Sequence, residues 1–294
     1  MLKTNYSAYK YTDQNTKILY STNFEIKNIK KDEPLLVFNY GLVCSNAHWM
    51  YQLPYFENLG YQILIHDYRC HFSSECSDGI ETCTFQNIAN DLHSILKDIN
   101  SKNVHMIGHS MGVNVTLEYA RLYPEFIKSQ TLISGTVLPP QDIMFDSNIV
   151  DITSPYIEDV AKNFSDLFES IWKSSYKNPI ARLAVLRGGF NPKKTSDDFV
   201  QLYMKRIGEL NSDLFFHLLN QMKEHDIIND LEKIKTPTLI IGGDKDKVIP
   251  NYLQKILYQY IKNSELYIVK DGSHVPQVDF PDSINDRISR FLNS

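Results

Sequence analysis

Six short apolar runs, each closed within a few residues by glycine, aspartate or serine, constrain this chain more than any other feature. Leu35-Leu36-Val37-Phe38-Asn39 leads to Gly41, and Gln62-Ile63-Leu64-Ile65-His66 leads to Asp67. Val104-His105-Met106-Ile107-Gly108 and Gln130-Thr131-Leu132-Ile133-Ser134 follow. Near the C-terminus come Thr238-Leu239-Ile240-Ile241-Gly242 and Glu265-Leu266-Tyr267-Ile268-Val269. Runs this short cannot make a core helix, and continuous rather than alternating apolarity is the mark of strands buried on both faces.

Helical patterns separate the runs. Phe85 to Ile99 carries Ile88, Leu92, Ile95, Leu96 and Ile99 at three-and-four spacing. A second helix is expected over 111–123, before Pro124, and a third over 282–292 with Ile284, Ile288 and Phe291 on one face. The first twenty-odd residues resemble a β-hairpin turning at Asp13-Gln14-Asn15. The whole predicts an α/β chain with a mostly parallel central sheet of about eight strands flanked by helices.

The alternation stops between about 138 and 230. Pro139-Pro140 opens a stretch with amphipathic helical patterns and no strand-like run. The patterns are Ile157, Val160, Phe164, Leu167, Phe168, Ile171 and Trp172, then Phe199, Leu202, Tyr203 and Ile207, then Leu214, Phe215, Leu218, Leu219 and Met222. We therefore expect a core formed by 1–137 and 231–294, with 138–230 inserted as a helical cap or lid.

Composition narrows the function. With 30 Lys and Arg against 35 Asp and Glu, the net charge of −5 leaves no basic stripe for a phosphate backbone, so no nucleic-acid partner is expected. No stretch approaches the length of a membrane-spanning helix, and Met1-Leu2-Lys3-Thr4-Asn5-Tyr6 lacks the apolar core of a signal peptide. Cys44, Cys70, Cys76 and Cys83 read as reduced thiols around a loop, which fits a cytoplasmic location. Their spacing matches no zinc pattern, so neither they nor His71 are expected to bind metal, and no cofactor is expected.

The chemistry is carried by Gly108-His109-Ser110-Met111-Gly112, a G-x-S-x-G sequence set between an apolar strand and an apolar helix. In that context the motif is a tight strand-to-helix turn exposing the serine hydroxyl at a helix N-terminus, where N–H groups favour developing negative charge. Ser110 is thus the candidate nucleophile. Its base and acid are expected on loops after later strands, in the order serine, acid, histidine. His274, in Lys270-Asp271-Gly272-Ser273-His274, follows the last apolar run and is the candidate base. Asp246 at the tip of Gly243-Asp244-Lys245-Asp246 is the candidate orienting acid, while Asp244 is expected to cap loop backbone and His109 to serve in packing. Two backbone N–H groups, of Met111 and of Leu42 in Asn39-Tyr40-Gly41-Leu42, are the candidate oxyanion donors.

These motifs, in this order over roughly 33–137 and 231–294, resemble the α/β-hydrolase fold superfamily, in the branch with a helical cap. The resemblance implies a serine hydrolase of esterase or lipase type, with Ser110, His274 and Asp246 as the triad. The serine sets it apart from relatives that carry aspartate there, the haloalkane dehalogenases and epoxide hydrolases. Asp67-Tyr68-Arg69-Cys70-His71-Phe72-Ser73-Ser74 resembles the family's D-x-R-G-x-G-x-S loop, with Cys70 and Phe72 in place of both glycines and Asp67 and Arg69 expected to pair. The reaction expected is hydrolysis of a small carboxylic ester with an apolar acyl or aryl group. C–C bond hydrolysis, removal of N-terminal proline, cofactor-free perhydrolysis, acyl transfer and a non-catalytic small-molecule receptor are the alternatives on the same scaffold.

Overall fold

A computed structural model describes every residue except 1, 4, 13–15, 140–151, 154–155, 158, 161–162 and 164. The apolar runs form strands β3 (Leu35–Asn39), β4 (Gln62–His66), β5 (Val104–His109), β6 (Ser129–Ile133), β7 (Thr238–Gly243) and β8 (Ser264–Val269). With β1 (Tyr6–Tyr11) and β2 (Lys17–Thr22) they make one eight-stranded sheet in the order β1-β2-β4-β3-β5-β6-β7-β8. The first two strands pair antiparallel, as does β2 with β4, and every later neighbour is parallel. The hairpin is therefore present, while the turn expected at Asp13-Gln14-Asn15 lies outside the described residues.

The period of two along a strand divides the core. Leu35 and Val37 pack on one face of the sheet with α2 (Phe85–Ile99) and α3 (Met111–Leu122), joined by Leu257 and Ile261 at α8 (Asn251–Tyr260). Leu36 and Phe38 pack on the other face with Leu53 and Phe56 of α1 (Gln52–Asn58) and Ile284 and Ile288 of α10 (Pro281–Leu292). Each fully buried side chain of this size contributes about 1.5–3 kcal/mol, so the two layers dominate the fold's stability. Thr84 caps α2 by accepting from Asn87 N–H, and Asn100 ends it in the left-handed conformation.

Between β6 and β7 the regular elements among the described residues are all helical, chief among them α4 (Ser165–Ser174), α5 (Pro179–Gly189), α6 (Asp197–Glu209) and α7 (Ser212–Glu224). Helix α5 has no counterpart in the sequence reading, because Pro179-Ile180-Ala181-Arg182-Leu183 shows no regular apolar face and Ile180 is exposed. Pro140 and Phe164 lie outside the described residues. Among the described residues no helix is long and apolar enough to cross a membrane.

The loop after β4 corrects two expectations. Arg69 does not pair with Asp67; its guanidinium forks onto Asp91 of α2, with Nε and Nη2 donating at 2.8 and 2.7 Å. Asp67 instead accepts from Ser73 N–H and the Asn46 amide. The cysteines are not all free: Cys70 and Cys76 form a disulfide, whereas Cys44 and Cys83 are buried thiols. Cys70 and Phe72 adopt φ of 63° and 46°, the left-handed turns that glycine makes easily. Together with the Cys70 N–H to Glu75 carbonyl bond, they fold the loop until the two Cα atoms lie 4.2 Å apart. With that bridge, the cysteine argument for a cytoplasmic location falls away.

Candidate active site

Because β3, β5, β7 and β8 run parallel, their C-terminal ends open on one edge of the sheet, where α/β folds place their ligands. Ser110 follows β5 directly. Its φ of 54° and ψ of −123° are strained for a side-chain-bearing residue, and the elbow is held by Ser110 N–H donating to the Ile133 carbonyl at 2.9 Å. Gly112 makes this turn possible: a Cβ there would lie 2.1 Å from the Asn39 carbonyl oxygen at the end of β3.

His274 and Asp246 meet Ser110 at this edge. His274 Nε2 lies 3.1 Å from Ser110 Oγ, and Nδ1 lies 3.0 Å from Asp246 Oδ2. A carboxylate oxygen only accepts, so the Nδ1 proton faces Asp246 and the Nε2 lone pair faces the serine hydroxyl. The Asp246 side chain is fully buried, and its second oxygen accepts from Val248 and Ile249 N–H at 2.9 and 2.8 Å. These two bonds fix the carboxylate against rotation. Asp244 caps backbone as expected, accepting from Asp271 N–H at 2.7 Å.

The oxyanion candidates flank the elbow. Met111 opens α3, and Leu42 lies in a turn closed by Cys44 N–H donating to the Gly41 carbonyl. Among the described residues neither the Leu42 nor the Met111 N–H has a protein acceptor. Gly41 presses on the elbow so closely that a Cβ there would stand 2.9 Å from Ser110 Cβ.

Two neighbours do more than the sequence indicates. His109 is not only a packing residue: its Nε2–H donates to the His274 carbonyl at 2.9 Å. Burial, reinforced by His274, holds this imidazole well below the usual histidine range, so it is neutral. Asp279, in the short helix α9 (Pro276–Asp279), accepts from both Ser273 N–H and Ser273 Oγ at 2.8 and 2.6 Å, beside His274. Burial raises its carboxyl above the usual range. The signal in the sequence was a carboxylate five positions after the histidine, among the otherwise apolar Val275, Val278 and Phe280.

Ser110, His109 and His274 open onto a cavity of about 320 Å³. Its walls include Leu42 and Val43 from the loop after β3, and Trp172, Val185, Tyr203 and Phe215 from the helices between β6 and β7. No Asp, Glu, Lys or Arg lines it among the described residues. Two larger surface grooves, of about 440 and 560 Å³, contain none of the three. The arrangement can polarise a hydroxyl, accept its proton and receive an apolar group.

Known proteins give the same answer for the fold. Residues 34–281 match the alpha/beta hydrolase fold family. A Haemophilus influenzae protein carrying a provisional esterase/lipase name is 26% identical over 98% of this chain and 94% of its own length. A proline iminopeptidase of Saccharolobus solfataricus is 23% identical over 92% of this chain and 88% of its own. Among solved structures, an esterase from Exiguobacterium antarcticum superposes with a TM-score of 0.74 at 18% identity, covering 98% of this chain and all of that one. By sheet order, strand-to-helix elbow and sequence match over most of its length, the chain belongs to the alpha/beta hydrolase fold family.

Proposed function

We propose that this member of a hydrolase family cleaves small, uncharged carboxylic esters through an acyl-enzyme on Ser110. The observation that carries the reading is the chain of contacts Ser110 Oγ–His274 Nε2 (3.1 Å) and His274 Nδ1–Asp246 Oδ2 (3.0 Å) at the floor of an apolar cavity. Ser110 Oγ attacks the ester carbonyl carbon as its proton passes to His274 Nε2. The carbonyl oxygen becomes an oxyanion that accepts from the Leu42 and Met111 N–H groups. Collapse breaks the C–O bond to the alcohol, which leaves with the proton from Nε2. Water then adds to the acyl-enzyme, giving a proton to His274, and the carboxylic acid departs as Ser110 recovers its hydrogen. Asp246 holds the imidazole in the tautomer this cycle needs.

The cavity supports the substrate class. At about 320 Å³ it lies at the small end of ligand sites, and its walls are aliphatic or aromatic, which suits an apolar acyl or aryl group. An aminopeptidase must bind an ammonium group, and no carboxylate among the described residues lines this cavity to receive one. Residues 138–230 act in this reading as a cap over the core formed by 1–137 and 231–294, with α4 to α7 supplying the far wall.

A fluorophosphonate probe and p-nitrophenyl esters of graded acyl length test the proposal. The wild type is expected to take one label and to turn over short and medium chains, and Ser110→Ala to lose both. A well-folded wild type that neither labels nor hydrolyses would favour a receptor. Release of proline from prolyl amides at rates above ester hydrolysis would replace the ester assignment.

A further inference from the structure

The catalytic histidine loop is bound to the cap as well as to the core. The segment that leaves α5 and enters α6, residues 189–195, donates or accepts three hydrogen bonds to residues 271–279. The Gly189 carbonyl accepts from His274 N–H at 3.2 Å. The Asn191 side-chain amide donates to the Asp271 carbonyl at 2.8 Å. Thr195 Oγ1 donates to Asp279 Oδ1 at 2.6 Å, while Oδ2 of the same carboxylate takes both bonds from Ser273. Apolar packing reinforces the junction, since Phe190 and Phe199 from the cap side cluster with Val275 and Val278 around α9.

We propose that residues 189–195 form a strap through which the seated cap positions His274, with Thr195 and Asp279 as the positioning residues. Asp279 is the bridging element. A buried carboxylate fully supplied with donors is rigid, whereas one that loses a donor must find a new partner or shift. Its donors are the residue immediately before the base and a residue of the cap, so neither moves without the other. Two further bonds grip the backbone on both sides of the loop, at Asp271 and His274. The strap thus makes the geometry of the base depend on the seating of the wall that holds the substrate.

This inference rests on His274 acting as the base for Ser110, and the experiment separates the two. Thr195→Val removes the hydroxyl while keeping its shape, and Thr195→Ser restores it. Thr195→Val is expected to lower kcat and the rate of fluorophosphonate labelling together by ~10- to 100-fold, the effect of a reacting group displaced by a fraction of an ångström, with KM within about twofold. Thr195→Ser is expected to return to within about threefold of wild type. Asn191→Ala, whose bond lies at the surface, provides a milder variant should Thr195→Val fail to fold, and is expected to lower kcat by about 3- to 10-fold. Folded strap variants with wild-type kcat, a loss confined to KM, or a Thr195→Ser as impaired as Thr195→Val would each overturn the strap. If Ser110→Ala still labels and hydrolyses, triad and strap fall together. If it does neither and Thr195→Val labels at the wild-type rate, the strap alone falls.

Discussion

Gly41→Ala tests the oxyanion loop with one added methyl. Gly41 has no positive φ, so alanine adopts its backbone without strain and only the contact counts. The new Cβ would stand 2.9 Å from Ser110 Cβ, 3.2 Å from the His109 carbonyl oxygen and 3.3 Å from His109 Nδ1. Ordinary carbon–carbon contact begins near about 3.5 Å, so the loop and the elbow must part by roughly 0.6 Å. The elbow is the stiffer side, because Ser110 N–H is tied to Ile133 in the next strand and Gly112 is pressed on Asn39. The loop therefore yields, and it takes the Leu42 N–H with it. Loss of one oxyanion donor costs about 3–4 kcal/mol, and a displaced one a part of that, so kcat on p-nitrophenyl butyrate is expected to fall ~10- to 100-fold. Overpacking is expected to cost about 1–3 kcal/mol of stability, measured by urea unfolding alongside activity. A folded Gly41→Ala with kcat within twofold of wild type, beside an inactive Ser110→Ala, would refute the placement of the oxyanion hole.

Two stability measurements probe the surrounding structure. His48, His66 and His71 are buried, and desolvation foremost holds them down to about 3, about 3 and about 4, from 6.5 when unfolded. Each folded value lies below the unfolded one, so the unfolded chain takes up protons first, and stability is whole above about pH 6.5 and lost as pH falls toward 4. At about 1.4 kcal/mol per unit each, the three remove about 5 kcal/mol between pH 6.5 and 5, and a urea midpoint unchanged across that interval would contradict their burial as neutral rings. The Cys70–Cys76 bridge spans a sequence separation of 6. Loop-closure entropy for so short a ring gives roughly 2 kcal/mol, so Cys70→Ser with Cys76→Ser is expected to lower Tm by about 3–6 °C, and an unchanged Tm would show that the bridge does not form.

The sheet was legible because parallel strands are buried on both faces and leave continuous apolar runs; Leu35–Asn39 and Phe85–Ile99 coincide with the elements formed. The meeting of Ser110, Asp246 and His274 was legible because each follows its own strand within a few residues. Asp246 could be chosen over Asp244 from loop position alone, since the residue at the tip reaches the histidine and the earlier one reaches backbone. What the sequence hid depends on partners far along the chain. Asp91 sits beside Leu92 on the buried face of α2, an anomaly that signals a buried pair without saying with whom; its partner is Arg69. Thr195 and Asp279 lie 84 positions apart, and nothing local marks either as half of a bond. In α4, Leu167 and Ile171 belong to the expected apolar stripe yet are exposed, while Trp172 lines the cavity, because periodicity reports an apolar face and not what covers it.

Where the backbone is strained carries its own argument about function. Among the described residues seven other than glycine have positive φ. Asn100 ends a helix, where the left-handed conformation is ordinary. The other six are Val43 after β3, Cys70 and Phe72 after β4, Ser110 after β5, Ser134 after β6 and Asp271 after β8. All six follow the C-terminal ends of strands, at the edge where Ser110, Asp246 and His274 converge. Val43 is the most telling, because a β-branched residue gains nothing from this conformation and such positions cost of order 1–3 kcal/mol. A fold selected for stability alone would place glycine or asparagine there, as it does at Gly60 and Asn100. The strain persists because the central strands below, β3 to β7, are buried on both faces and can hold these turns in place. The two layers of core therefore have a second role: they keep the loops of one edge in conformations that those loops would not adopt alone, and that edge is where the reaction is proposed to occur.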